Sequence, residues 1–175
     1  MIHRVLPALL VFAAACTPAA PSLSDDVRAT ALAEVRATTD SLAAAMNAHD
    51  SPRFQAFFAL DATFAYVSCT EFLVGGGTFA DITAAYDMAH ADVTVEMGVV
   101  TARILAPDAA VVGIQSRSSD PNASNPILTT NVMHKGEDGR WRVVHQHQSW
   151  PDCSPPTAPH PMTSGAGVVD LDTIG

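Results

Sequence analysis

Basic residues are scarce in this chain of 175 residues: Lys and Arg together number 9 against 18 Asp and Glu, a formal charge of −9. That deficit argues against nucleic acid or an anionic lipid surface as partner, because both are held mainly by Lys and Arg. Cysteine is almost absent, at 3 residues, and none stand at the close spacing of a zinc ligand pair, so no metal site is expected. Gly75-Gly76-Gly77 has neither GxGxxG nor Walker spacing, nor the lysine of a phosphate cradle. It reads as a flexible turn, and no cofactor is implied. Beyond the first residues nothing is long and apolar enough to form a membrane span.

What is present begins with Arg4 and an apolar run from Val5 to Ala15, too short to span a bilayer but suited to a secretory signal at residues 1–15. The run ends Ala13-Ala14-Ala15-Cys16, which resembles a bacterial lipobox, with Cys16 lipidated as the first mature residue. Acyl chains contribute about 0.8 kcal/mol per buried methylene, so two or three would anchor the protein firmly. The alternative is a cleaved signal with a chance cysteine, and it leaves export to the bacterial cell envelope, periplasmic or outer-membrane face, intact. Residues 16–24 read as a proline-bearing tether, 25–152 as one domain, and 153–175 as a Pro- and Gly-rich tail. With Cys16 set aside, Cys69 and Cys153 remain, and an exported pair at strand ends reads either as a disulfide or as two separate thiols.

Within the domain, Ser24 or Ser22 caps a helix with Asp25 and Asp26 in its first turn, and Val27, Ala31, Val35, Leu42 and Met46 form one stripe. Asp50-Ser51-Pro52 starts a short second helix carrying Phe54, Phe57 and Phe58. Thr63–Ser68 and Glu71–Val74 alternate as short strands, and Thr78 with Asp81 opens a third helix whose buried stripe is Phe79, Ile82 and Tyr86. Thereafter the pattern is β. The apolar phase flips at Gly98, predicting a bulge there. Ala109–Ser116 forms a further strand.

The last pair is the most informative. Ile127–Lys135 and Trp141–Ser149 flank the turn Gly136-Glu137-Asp138-Gly139 as a hairpin, with Val132 expected near Val143 and Thr130 near His145. Strand alternation puts Trp141, Val143, His145 and His147 on one face, and Arg142, Gln146 and Gln148 on the other. The Trp-bearing face is expected inward, since Arg and Gln suit water or a polar contact better.

This order is α+β: three helices and a curved six-stranded sheet wrapped over them. On Leu60-Asp61-Ala62-Thr63-Phe64, on the Gly75 to Thr78 entry to the third helix, and above all on the run Gly139 to Ser149, the chain resembles the NTF2-like superfamily, more narrowly its SnoaL-like and DUF4440-type members. The run Gly139 to Ser149 is also similar to the closing strand of the calcium/calmodulin-dependent kinase II association domain. The resemblance implies a cone with a pocket between sheet and helices, and often a homodimer through the outer sheet face. The fold hosts isomerases, dehydratases, cyclases and plain binding or assembly modules, so it does not select an activity. Three readings stay open. One is a pocket for a small hydrophobic molecule, walled by Trp141, Val143, Thr130, Phe57, Phe58 and Tyr86. The second is acid/base catalysis by His145 and His147 with Tyr66 as donor and Asp61 or Asp87 as orienting carboxylate. The third is an assembly module whose histidines are structural.

Overall fold

The computed structural model describes residues 23–69 and 72–153. The signal reading, the lipidation of Cys16, most of the tether and the tail from residue 154 lie outside the described residues.

Helix α1, Asp25–Asn47, is capped by Ser24, whose hydroxyl accepts from the Val27 amide at 3.4 Å. Its buried face is Ala31, Val35, Thr39, Leu42 and Ala45, while Val27 stands exposed at the fraying first turn. Thr39 joins an apolar stripe without penalty because its hydroxyl donates to the Val35 carbonyl at 3.0 Å. Helix α2, Ser51–Gln55, is capped by Asp50 through the Arg53 amide and has proline in its first turn. Helix α3, Gly76–Ala89, begins two residues before Thr78. Gly75, at φ 91°, turns the chain into it, a conformation that suits glycine. A Cβ on Gly76 would overlap the Leu60 backbone. The three glycines are therefore not a loose turn but a helix entry, with Gly75 making the bend and Gly76 packed on Leu60.

Six strands form one sheet in the order β2-β1-β6-β5-β4-β3. The strands are β1 Ala65–Val67, β2 Phe72–Val74, β3 Val95–Ala106, β4 Ala109–Ser118, β5 Ile127–Lys135 and β6 Trp141–Ser149. All neighbours are antiparallel except β1 and β6, which run parallel. This is the α+β arrangement expected from the sequence, with β3 to β6 as a meander and the β1–β2 hairpin added beside β6. The pairing of β3 is irregular at two places, Val100, where it skips from Val99 to Thr101, and Leu105, where it skips from Ile104 to Ala106, and not at Gly98. Val100 is accordingly turned out and exposed.

The core joins α1 to the sheet's concave side. Phe58 and Phe79 lie 4.9 Å apart by ring centre, and Phe64 and Phe79 5.0 Å apart, so the short α2 and its exit are nailed down by aromatic burial. Each such side chain contributes roughly 1.5–3 kcal/mol by leaving water. At one end of the cone Glu34 of α1 accepts from Lys135 at 2.7 Å and from the Trp141 indole at 2.9 Å, tying the helix to the tips of β5 and β6. Cys69 and Cys153 are joined by a disulfide with Cα atoms 5.2 Å apart, fastening the end of β1 to the segment after β6.

Candidate functional site

The site follows from an irregularity in β6. Met133 pairs with Val143, but the next residue of β5, Val132, pairs with His145, leaving Val144 as an extra residue. The same strand is gripped on its other edge in two places. Val143 exchanges main-chain bonds with Phe57 and Ala59, and β1 takes over from Ala65 opposite His145. A bulge of one residue reverses which side chains face inward. Trp141 and Val143 are buried against the helices as expected; beyond Val144 the inward residues are Gln146 and Gln148. His147 is exposed, His145 half-buried, and neither lines a cavity. Thr130, paired with His147, is exposed on the same outer face. The expectation of inward histidines is thus overturned by the bulge, and so is the register that put Val132 near Val143 and Thr130 near His145.

A cavity of about 310 Å³ remains between sheet and helices, at the end opposite the Glu34 clamp. The apolar part of its helical walls is Leu42, Ala45 and Met46 of α1, Phe54 of α2, and Phe79 and Ile82 of α3. Ile82 and Tyr86, expected in the core, are instead half-open to this space. The sheet gives a polar floor in which Ser116, Thr129, Asn131, Gln146 and Gln148 come from three adjacent strands. Across that floor the Tyr66 hydroxyl donates to Gln148 at 2.9 Å, and Gln146 donates to Asn131 at 3.1 Å.

At the wall stands a histidine–carboxylate pair that the sequence reading did not assemble. Helix α1 ends with Asp50 N–H on the Ala45 carbonyl and His49 N–H on the Met46 carbonyl, which places His49 in the left-handed region at φ 51°. This is the position where helices usually carry glycine. A non-glycine residue there holds about 1–2 kcal/mol of backbone strain, and such residues cluster at functional sites. Asn47, just before it, clamps the start of β3 with bonds of 2.9 and 2.7 Å to Val95. His49 Nδ1 lies 2.7 Å from Asp87 Oδ1, and the Ser51 hydroxyl donates to Asp87 Oδ2 at 2.5 Å. Burial pushes the Asp87 carboxyl up, yet the hydrogen bonds from Ser51 and His49, with the imidazole's charge, outweigh it and hold the group below its ordinary value. Asp87 is therefore the carboxylate, and it selects the proton on Nδ1. The other ring nitrogen, Nε2, is left without a partner among the described residues. His49, Ser51 and Asp87 all line the cavity.

The remaining candidates sort cleanly. Tyr66 and Tyr86 line the cavity, Tyr86 stacked on His90 with ring centres 4.1 Å apart. Trp141, Val143 and Phe58 are buried core, and Phe57 packs against that core; none of the four reaches the cavity. Asp61 is an exposed turn residue that accepts from the Thr63 hydroxyl and amide and the Phe64 amide. Those bonds, the Thr63 hydroxyl first, lower its carboxyl. Of the two proposed orienting carboxylates only Asp87 meets a histidine, and that histidine is His49. Its one sequence signal was position, a histidine where a helix must stop.

The SnoaL-like domain family pattern matches residues 35–153. Among solved structures, an NTF2-like family protein assigned provisionally as a dehydratase, from Streptomyces avermitilis, is 18% identical with a TM-score of 0.59, the match covering 70% of this chain and 97% of that one. An NTF2-like protein of unknown function from Shewanella oneidensis MR-1 is 17% identical, TM-score 0.58, covering 67% and 98%. A domain assigned provisionally as a calcium/calmodulin-dependent protein kinase type II association domain, from Thiobacillus denitrificans, is 23% identical, TM-score 0.56, covering 65% and 92%. At these identities the likeness is one of fold. No curated protein matches the chain.

Proposed function

Because the chain belongs to the SnoaL-like domain family, whose fold often encloses a small-ligand site, we propose that it binds a small, largely apolar molecule between sheet and helices. The observation that carries this is the cavity itself: about 310 Å³, lined mainly by apolar side chains of helices and sheet, with polar groups gathered on the floor at Asn131, Gln146 and Gln148 and at the His49–Asp87 corner. That composition suits a ligand with one polar end. Export and anchoring through Cys16 belong to the same proposal, and the Cys69–Cys153 disulfide supports an oxidising compartment. Homodimerisation through the outer sheet face, where His145 and His147 now lie, is part of it as well.

Two measurements test the binding. Native mass spectrometry of purified protein is expected to show a co-purified small molecule or, after its removal, one equivalent of the fluorescent apolar dye N-phenyl-1-naphthylamine. An Ile82→Trp variant that stays folded should lose at least tenfold in dye affinity, as the new ring fills the space. Equal affinity in both proteins would place the dye elsewhere and remove the reading.

A second reading, proton-transfer catalysis, is favoured by His49 and Asp87. An imidazole held on Nδ1 by a carboxylate presents Nε2 as a general base. The provisional dehydratase assignment of the Streptomyces structure adds weight by analogy alone. The probe is 5-nitrobenzisoxazole, from which a base takes the C3 proton while the N–O bond breaks to give a cyanophenolate. Turnover should exceed that of free imidazole and fall at least 100-fold in His49→Gln and Asp87→Asn. Turnover unchanged in both folded variants would end this reading and leave the binding site standing.

A further inference from the structure

The floor of the cavity says what polar end the ligand carries, an inference that rests on the binding reading above. Asn131 and Gln146 sit directly opposite each other on β5 and β6. They are exposed by only 2% and 7%, and are joined by a single bond, Gln146 Nε2 to Asn131 Oδ1 at 3.1 Å. Two primary amides side by side have more capacity than one bond uses. The Asn131 amide nitrogen and the Gln146 amide oxygen have no side-chain partner among the described residues. Yet no fully buried side-chain nitrogen or oxygen there is left unpaired. These two atoms therefore open onto the cavity that both residues line. Exchanging N and O in both amides preserves the result: one donor and one acceptor remain, adjacent and facing the ligand. Two of the polar neighbours are already engaged, Tyr66 with Gln148 and Gln148 with Thr129.

We propose that Asn131 and Gln146 form a recognition pair for a neutral carboxamide or lactam, whose carbonyl accepts from one amide while its N–H donates to the other. Neutrality follows from the rest of the lining. No lysine or arginine is among the residues around the cavity, whereas Asp50 and Asp87 are. The two histidines of the lining are already engaged, His49 with Asp87 and His90 with the Tyr86 carbonyl, so an ionised carboxylate or phosphate would be desolvated there with no lysine or arginine to meet it. A hydrocarbon of the same shape leaves the pair unsatisfied, and a site built on buried hydrogen bonds discriminates sharply against such an analogue.

Displacement of N-phenyl-1-naphthylamine by three probes built on one phenylpropenyl scaffold tests this: cinnamamide, cinnamate and β-methylstyrene. Cinnamamide is expected to displace the dye at a concentration at least tenfold lower than either of the others. In Asn131→Asp, which keeps the volume and the bond from Gln146 but loses the donor, and in Gln146→Leu, the amide advantage should shrink to within twofold. Cinnamamide no better than β-methylstyrene on the parent protein would overturn the recognition pair while leaving the cavity reading in place, and this comparison needs no variant to fold. A full amide advantage persisting in folded Gln146→Leu and Asn131→Asp would overturn it too. Failure of the dye to bind at all would remove the cavity reading and this inference together.

Discussion

The two halves of β6 lie under the same helices and do opposite things. Before Val144 the strand offers Trp141 and Val143 to a sealed core, where Phe58 and Met133 leave no room for a ligand. After Val144 it offers Gln146 and Gln148 to open space. One inserted residue separates a structural end of the cone from a chemical end, and the difference teaches that side-chain phase, more than composition, decides where a cavity's polar groups come from. The bulge also spares the protein a cost. Without it two imidazoles would face Phe79 and Tyr66, while the glutamines would face outward.

Exchanging His145 with Gln146 and His147 with Gln148 breaks the comparison most severely. It keeps the bulge and the composition, but puts two imidazoles on the inner face and the glutamines outside. Asn131 then loses its bond from Gln146, and Tyr66 its bond to Gln148, and polar groups buried unpaired cost about 1–3 kcal/mol each. Domains of this size have only about 5–15 kcal/mol in hand. A markedly lower thermal midpoint, followed by circular dichroism, is the expected result. An exchanged variant that melts like the parent would show that the phase after Val144 does not matter to the fold.

Substitutions on either side of Val144 sharpen the contrast. Trp141→Ala removes a buried indole and its bond to Glu34 and should cost about 3–5 kcal/mol in urea unfolding. Gln146→Leu, one turn of the pleat beyond the bulge, removes the one side-chain bond of the buried Asn131 and should cost about 1–3 kcal/mol, less than the loss at Trp141 because the cavity leaves room for water at the orphaned amide. Similar losses at both positions would mean that the cavity end is as tightly packed as the clamp end.

The sequence made most of the architecture legible because its signals were local. Asp50-Ser51-Pro52 announced a helix start, the hairpin turn announced itself in Gly136 to Gly139, and the change from helical to alternating period marked where the sheet begins. The inward face of β6 was not legible, because alternation is a sum over positions and one uncounted residue inverts everything after it. Val143-Val144, two apolar neighbours in an alternating strand, is the trace the bulge leaves, and Val99-Val100 leaves the same trace in β3. Val111-Val112 shows why the trace is insufficient: it sits in β4, whose pairing with β5 is unbroken. The His49–Asp87 pair was hidden for another reason. The residues are 38 apart in sequence, and only the packing of α3 across the end of α1 brings them together.

The smallest effects concern acid. Four carboxyls lie below their ordinary values: one at the clamp, one at the cavity, one in the hairpin turn and Asp61 in the turn before β1. Hydrogen bonds from Lys135 first and Trp141 next lower Glu34. The Arg142 guanidinium bonded to Asp138 holds that carboxyl down at about 2. A carboxyl depressed in the folded state stabilises it above the unfolded value, and the stabilisation is lost as pH falls through the folded value. Glu34→Gln should therefore cost stability at pH 7, less than about 1 kcal/mol because the pair with Lys135 is partly open to water. Its cost should vanish in acid. Asp138→Asn should flatten the decline specifically between its ordinary 3.8 and about 2, a window set by the turn and not by the cavity. Urea unfolding from pH 6 to pH 2 reads both, and an acid limb unchanged in Asp138→Asn would show that the Arg142 pair contributes nothing to folding. Asp87→Asn should flatten the limb in the same direction while also disturbing the cavity wall. Dye affinity falling in Asp87→Asn, and holding in Glu34→Gln, is what separates a chemical end from a structural one.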